Sequence, residues 1–406
     1  MHKRVLFISN GHGEDNHSSH IIRSLRELAP EVEVAAIPIV GAGHAYRRID
    51  VPIVGPTKVL PSGGFTYVNR WLLLKDIRAG LLGLSVRQLR AIRQQAPHFD
   101  LVHATGDGVG QSCAFWSGLP FISFISCLSS LYEGHLQVDV VLRRVLRSQR
   151  CRAIVTKDPA TATDLTRQGF PNVITGGIPH MDRLLPTGKD LELQTGVPML
   201  AILPGSRLPE GVRNLELLLH LTVEITKVLN GQVQFRAALV PGVMAAVPTL
   251  AATLGWHYEA GCLSPPDRSL TVRCYDDAFS DIVIQTDLIL GMAGLAVEQA
   301  VALGKPVIQI PGEGPQFNYP FAEAQERLLG ISAQTIGLGP ATAETLKVAA
   351  QRIAITLKDQ AYLAACLENG RTRWGPPGAS YRMAQLILQH LNNEQITTPG
   401  KSPISL

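Results

Sequence analysis

The stretch LAILPGSRLPEG, residues 200 to 211, runs four apolar residues into a turn that carries a glycine, a hydroxyl and a guanidinium in succession. Gly205 lets a ligand approach the backbone, Ser206 offers an N–H and a hydroxyl, and Arg207 adds a fork of donors matched to a phosphoryl group. A helix starting in the following PEGVRNLELLLHL would lend the turn its N-terminal positive potential. An anion is the expected guest, although Gly-Ser turns after strands also occur for purely structural reasons. A second turn has the same character. In TDLILGMAGLAVEQAVALGKPVIQIPG, Gly291 and Gly294 flank a strand-to-helix turn, with buried packing glycines as the alternative. Two anion-suited turns point to a diphosphate. In the next loop, PGEGPQFNY, Gln316 and Asn318 offer paired donors and acceptors of the kind that read sugar hydroxyls, or are ordinary loop polarity.

Titratable groups gather nearer the N-terminus. ISNGHGEDNHSSH follows an apolar run, and His12, Glu14 and Asp15 stand at the tip of its glycine turn as candidate general acids or bases. His17 and His20, three apart on the helix that follows, would complete a metal set with Asp15; a solvated first helical turn explains them equally, and no metal is assigned. In HATGDGVGQS, Asp107 lies between two glycines after another apolar run. It is either a base toward a hydroxyl or a turn or helix-capping aspartate.

Such turns need strands beneath them. RVLFIS, VEVAAIPIV, DLVHAT, FISFIS and RAIVT are short, rich in Val and Ile, and bounded by polar turns, as buried parallel strands are. HIIRSLREL and RQLRAIRQQ carry apolar residues at helical spacing between them. The rhythm is βαβ, hence a doubly wound parallel sheet. It stops in the Gly- and Pro-containing segment from about 183 to 197 and restarts with MLAILPGS, VQFRAAL, TDLILG and KPVIQIPG. Two Rossmann-like domains are expected, over 1–185 and 190–370. The helix near 376–392 is expected to pack back on the first, and the tail 393–406 to be disordered. Ligands should then lie at the carboxyl ends of the strands, in a cleft between the two sheets.

Composition agrees with two domains: 406 residues, 46% hydrophobic and 17% charged, bury ample core and exceed the usual single-domain length. A net charge of +4 without a basic block is too mild to argue for nucleic acid and favours an anionic ligand or an acidic membrane surface. Six scattered cysteines without metal-site spacing suit core positions in a reducing compartment. The N-terminal apolar run is too short for a secretion signal, and no stretch approaches the roughly 18 residues of a membrane span. A cytoplasmic protein is expected.

The chain resembles the lipid-A-disaccharide synthases, glycosyltransferases of the GT-B fold, and more distantly the UDP-N-acetylglucosamine transferase of peptidoglycan synthesis. The resemblance rests on the glycine-acid loop after the first strand, KDIRAGLLGLSVRQLRAIRQQAPHFDLV, TGGIPHMD, LAILPGSRLPE and TDLILGMAGLAVEQAVALGKPVI. It implies that the LPGSR turn, with Glu210 three residues on, contacts a nucleotide diphosphate. It further implies that Arg207 is needed for activity, that the essential aspartate falls closest to Asp107, and that the ribose contact falls on Gln299, with Glu298 one place off. The family's GExSGD loop is GHGEDN here, and its Pro-Ser-Val-Trp segment is replaced by FISFISCLSSLYEG.

The resemblance implies a glycosyltransferase that moves a sugar from a UDP-sugar to a lipid-type acceptor, with an acceptor other than a lipid A precursor. Asp107 would be the first base, followed by Glu14 and His12, and Arg207 would stabilise the leaving diphosphate; no cofactor beyond the donor is implied. A UDP-sugar 2-epimerase-like isomerase and a non-catalytic sugar-nucleotide-binding protein are the alternatives. Residues 63–93 combine Phe65, Tyr67, Trp71 and Leu72–Leu74 with Arg70, Lys75, Arg78, Arg87, Arg90 and Arg93. Together with the resemblance, that face suggests peripheral docking on the inner side of a membrane; a core helix pair with a solvated basic face is the alternative.

Overall fold

Apolar runs with no polar alternation have to be covered on both faces, and that requirement sets the architecture. The structure, a computed structural model, describes residues 3–58, 81–291, 294–312, 314, 317–375 and 377–392. Contacts divide these into two units: unit 1 from the described residues within 1–130, 135–183 and 376–406, and unit 2 from 131–134 and 184–375.

Unit 1 is built on a six-stranded parallel sheet. Its strands are β1 (Arg4–Ser9), β2 (Glu33–Pro38), β3 (Leu101–Gly106), β4 (Phe121–Ile125), β5 (Cys151–Thr156) and β6 (Val173–Thr175), in the order β2-β1-β3-β4-β5-β6. One core includes Val5, Phe7, Ile122, Phe124 and Val155 and extends into helix Ala379–Leu391 through Met383, Ala384 and Ile387. The other includes Leu6, Ile8, Val102, Ala104, Ile125 and Ile154. The C-terminal helix is fastened at its start: the Asp182 carboxylate accepts the backbone N–H groups of Gly378, at 2.6 Å, and Ser380, at 2.5 Å.

Unit 2 carries eight strands: β7 (Met199–Leu203), β8 (Gln234–Ala238), β9 (His257–Glu259), β10 (Cys262–Ser264), β11 (Val272–Tyr275), β12 (Leu288–Gly291), β13 (Val307–Gln309) and β14 (Ala333–Thr335). Their order is β14-β13-β12-β7-β8-β11-β10-β9, parallel except for the β11-β10-β9 edge. The segment that enters this unit is laid along it. Thr187 and Gly188 donate to Asp281 at 2.6–3.0 Å, and the Arg236 guanidinium holds the carbonyls of Leu191 and Glu192.

Both sheets reverse their winding beside their first strand. From β1 the chain goes to β2 on one side and to β3 on the other; from β7 it goes to β8 on one side and later to β12 on the other. At such a switch point the connections diverge and leave a crevice beyond the strands' carboxyl ends. The turns after β1 and β3, and after β7 and β12, are therefore the places to look.

Candidate functional site

In unit 1, register brings Ser9 of β1 level with Thr105 of β3, and Gly106 level with Ile125 of β4, so three strands end side by side. Asp107 follows β3 and caps helix Gly108–Ser117: its Oδ1 accepts the Val109 N–H at 2.8 Å. The same oxygen accepts the Asn10 amide at 2.6 Å, while the Asp107 N–H donates to Asn10 Oδ1 at 3.3 Å. The helix-capping alternative thus describes where Asp107 stands, with one oxygen occupied twice.

Glu14 lies in the first turn of α1 (His12–Leu28). The Cys127 thiol, just past β4, donates to Glu14 Oε1. A Cβ on Gly11 would run into Glu14 Oε2, and one on Gly106, whose φ is +138°, would run into Asn10 Oδ1. These glycines make room for the polar cluster. Burial and the nearby Glu14 carboxylate push the Cys127 thiol well above its ordinary value, so it remains a donor. The exposed His12 packs its ring over Gly41, whose Cβ would stand 2.5 Å from His12 Cε1.

Asp15 points inward. Ser9 Oγ donates to its Oδ1 at 2.6 Å and is itself 2.6 Å from the Tyr46 hydroxyl, all three buried. Burial, aided by the neighbouring Glu14, pushes the Asp15 carboxyl up to about 7 against the downward pull of the Ser9 bond. His17 is buried against His180, with ring centroids 4.6 Å apart and Nδ1 atoms 3.3 Å apart. Burial, then Lys157 and His20, hold it down to about 3 and hence neutral. Asp15 and His17 therefore serve separate networks, and among the described residues no three such side chains are grouped to hold a metal ion.

In unit 2, the turn after β7 bends at Gly205, with φ +100°, and exposes Ser206 and Arg207 ahead of the 19-residue helix Glu210–Val228. The Gly211 N–H donates to the Arg207 carbonyl at 2.6 Å, and a Cβ on Gly211 would stand 3.0 Å from the Gly205 carbonyl. Asn214 secures the turn by donating to the Pro204 carbonyl at 3.0 Å. Glu210 opens the helix, its Cγ 3.0 Å from where a Cβ on Gly314 would be.

The two glycines of the second turn differ. Gly291, with φ +154°, is paired with Leu203, and a Cβ on it would collide with the Leu203 carbonyl; it is a packing glycine. Gly294 begins helix Gly294–Ala302, is exposed, and would meet nothing within 4 Å. On that helix Glu298 is buried and Gln299 half-buried, as the 100° rotation per residue requires. Asn318 caps helix Tyr319–Leu329, its Oδ1 accepting the Phe321 N–H at 3.0 Å. Gln316 lies outside the described residues.

Also outside them are the tail 393–406 and most of the basic-apolar stretch, including Phe65, Tyr67, Arg70, Trp71, Leu72–Leu74, Lys75 and Arg78. Its described part, within helix Leu81–Gln95, buries Leu84, Gln88 and Ile92 and leaves Arg87, Arg90 and Arg93 exposed. No helix among the described residues is long and apolar enough to cross a membrane.

Sequence reasoning missed Asn10, Asn214 and Cys127. Asn10 and Asn214 had a signal, a polar side chain beside each glycine turn. Cys127 had none, since its partner is 113 positions away.

No protein-family model and no curated protein matches the sequence. Solved structures do match the fold. The MnaA-UDP co-structure from S. aureus is 15% identical, with 96% of this chain and 97% of that chain covered and a TM-score of 0.58. UDP-GlcNAc 2-epimerase from Neisseria meningitidis bound to UDP-GlcNAc is 15% identical, with 95% and 100% covered and a TM-score of 0.57. The glycotransferase of kitacinnamycin is 16% identical, with 96% and 100% covered and a TM-score of 0.58. Two Rossmann-like units of the GT-B type are thereby established.

The comparisons correct the functional expectation. UDP-GlcNAc 2-epimerases predominate among the similar structures, which overturns transfer to a lipid-type acceptor as the main reading. The narrower likeness to lipid-A-disaccharide synthases gains no support either. The physical reason is plain: turns of a composition suited to a diphosphate serve isomerisation as well as transfer.

Proposed function

We propose that this protein is an enzyme that binds a UDP-sugar and isomerises it in the manner of a 2-epimerase. The observation that carries the proposal is the turn after β7, where exposed Ser206 and Arg207 precede the N-terminus of a long helix at a topological switch point. A diphosphate is the ligand such donors suit. UDP and UDP-GlcNAc accompany two of the similar structures, in agreement with this ligand.

Inverting C2 of a sugar nucleotide requires loss of a proton that is not acidic by itself. If the C1–O bond to the diphosphate breaks as a base takes the C2 proton, the electron pair forms a C1=C2 bond and UDP carries the charge away. Returning a proton to the other face of C2 and the diphosphate oxygen to C1 restores the sugar nucleotide as its epimer. Atoms and electrons balance without a redox cofactor or an acceptor. In this proposal Arg207 and Ser206 steady the diphosphate as its charge develops.

We assign the base to Glu14 rather than Asp107. One Asp107 oxygen is already held by an amide and a backbone N–H, which commits that carboxylate to capping its helix. Glu14 accepts a thiol, a weak donor. The test is incubation with UDP-N-acetylhexosamines without any acceptor, followed by chromatography. The C2 epimer supports the reading. Sugar loss that requires an added acceptor, or no turnover alongside tight UDP binding, would reject it.

A further inference from the structure

We infer that Cys127 is a positioning residue for Glu14, its thiol anchoring one carboxylate oxygen so that the other is presented in a fixed direction. The inference rests on Glu14 being the base in the proposed isomerisation.

The geometry has three supports. β4 is buried along its whole length and ends at Ile125, level with Gly106, so the chain must deliver Cys127 to the sheet's carboxyl end beside Glu14. The thiol donates to Oε1. Oε2 lies over Gly11 and Cγ lies 3.5 Å from where a Cβ on Gly106 would stand, so the backbone leaves space for this carboxylate and confines it. Cys127 itself is half-buried, with Ser126 Oγ 3.9 Å from its sulfur.

A thiol is a fitting choice for this task. A carboxylate held by strong donors is well oriented but loses basicity, whereas one held by none keeps basicity but turns freely. An S–H bond orients weakly and depresses basicity little. A thiol that keeps its proton is a permanent donor, and no oxidation or covalent step is involved.

Two substitutions separate this role from simple packing. In Cys127→Ala the kcat for epimerisation should fall about tenfold with KM unchanged. Cys127→Ser, which keeps a donor at this position, should recover most of kcat. A kcat as low in Cys127→Ser as in Cys127→Ala, or a loss that appears in KM instead of kcat, would overturn the inference.

An infrared difference spectrum needs no turnover. The Cys127 S–H stretch, identified by subtracting Cys127→Ala, should lie low and broad in the wild type and rise in Glu14→Gln, where the acceptor is neutral. An unshifted band would overturn the contact and the inference with it. A shifted band in a protein that turns over no UDP-sugar would reject the isomerase reading while leaving the positioning geometry standing.

Discussion

Asp15→Asn isolates one buried charge. The Asp15 carboxyl is pushed from 3.8 up to about 7, chiefly by burial, a shift of about 3 pH units. At about 1.36 kcal/mol per unit, ionising it inside the fold costs about 4 kcal/mol relative to the unfolded chain. The sign follows from proton counting. Between pH 4 and 7 the unfolded chain has released this proton and the folded chain keeps it, so stability is greatest below pH 4 and is lost as pH rises through 7. About 2 kcal/mol of that loss falls between pH 5 and 7.

The asparagine introduced by this substitution would keep an oxygen for Ser9 and carry no charge at any pH. Its amide nitrogen would replace Oδ2, a buried atom without a hydrogen-bond partner, at a cost of about 1–3 kcal/mol. The variant should therefore lie within about 1 kcal/mol of wild type at pH 5 and be the more stable of the two by pH 8. Calorimetry across this range should show the wild type losing about 5–9 °C more in Tm between pH 5 and 7 than Asp15→Asn. Parallel curves would refute the buried, proton-holding carboxyl.

Arg207→Ala should weaken UDP binding about 10- to 100-fold in titration calorimetry. Gly291→Ala should destabilise unit 2 by at least about 2 kcal/mol in urea unfolding, because the methyl group meets the Leu203 carbonyl at a positive φ. Asp182→Ala should lower the stability of unit 1 by about 1–2 kcal/mol, read by the same method, by removing the acceptor for the Gly378 and Ser380 N–H groups.

The strands were legible because parallel strands covered on both faces read as unbroken apolar runs: RVLFIS is β1, FISFIS contains β4, and MLAIL is β7. The three-residue strands β9, β10 and β14 were not legible, being too short to show a period. Helix Pro241–Leu254 was hidden by Pro248 inside it. At the candidate site, glycine-turn composition located both switch points. It could not separate Gly291, which packs, from Gly294, which opens to solvent, because that depends on a neighbouring strand's carbonyl. Likewise Asp107 and Asn318 have the composition of ligand contacts and the geometry of helix caps. The thiol facing Glu14 depends on tertiary structure alone. Function was misread for a related reason: turns of anion-binding composition suit transfer and isomerisation alike, and the difference would lie in what meets the sugar.

Proton exchange at the sugar is the most direct measurement. UDP-GlcNAc incubated with the protein in deuterated water, without an acceptor, should take up one deuterium at C2 in the epimer, seen by NMR as loss of the H2 signal and collapse of its coupling to H1. Glu14→Gln should bind UDP normally and show no uptake, while Asp107→Asn should retain it. Epimer formed without deuterium, or uptake undiminished in Glu14→Gln, would contradict proton abstraction at C2 by this carboxylate.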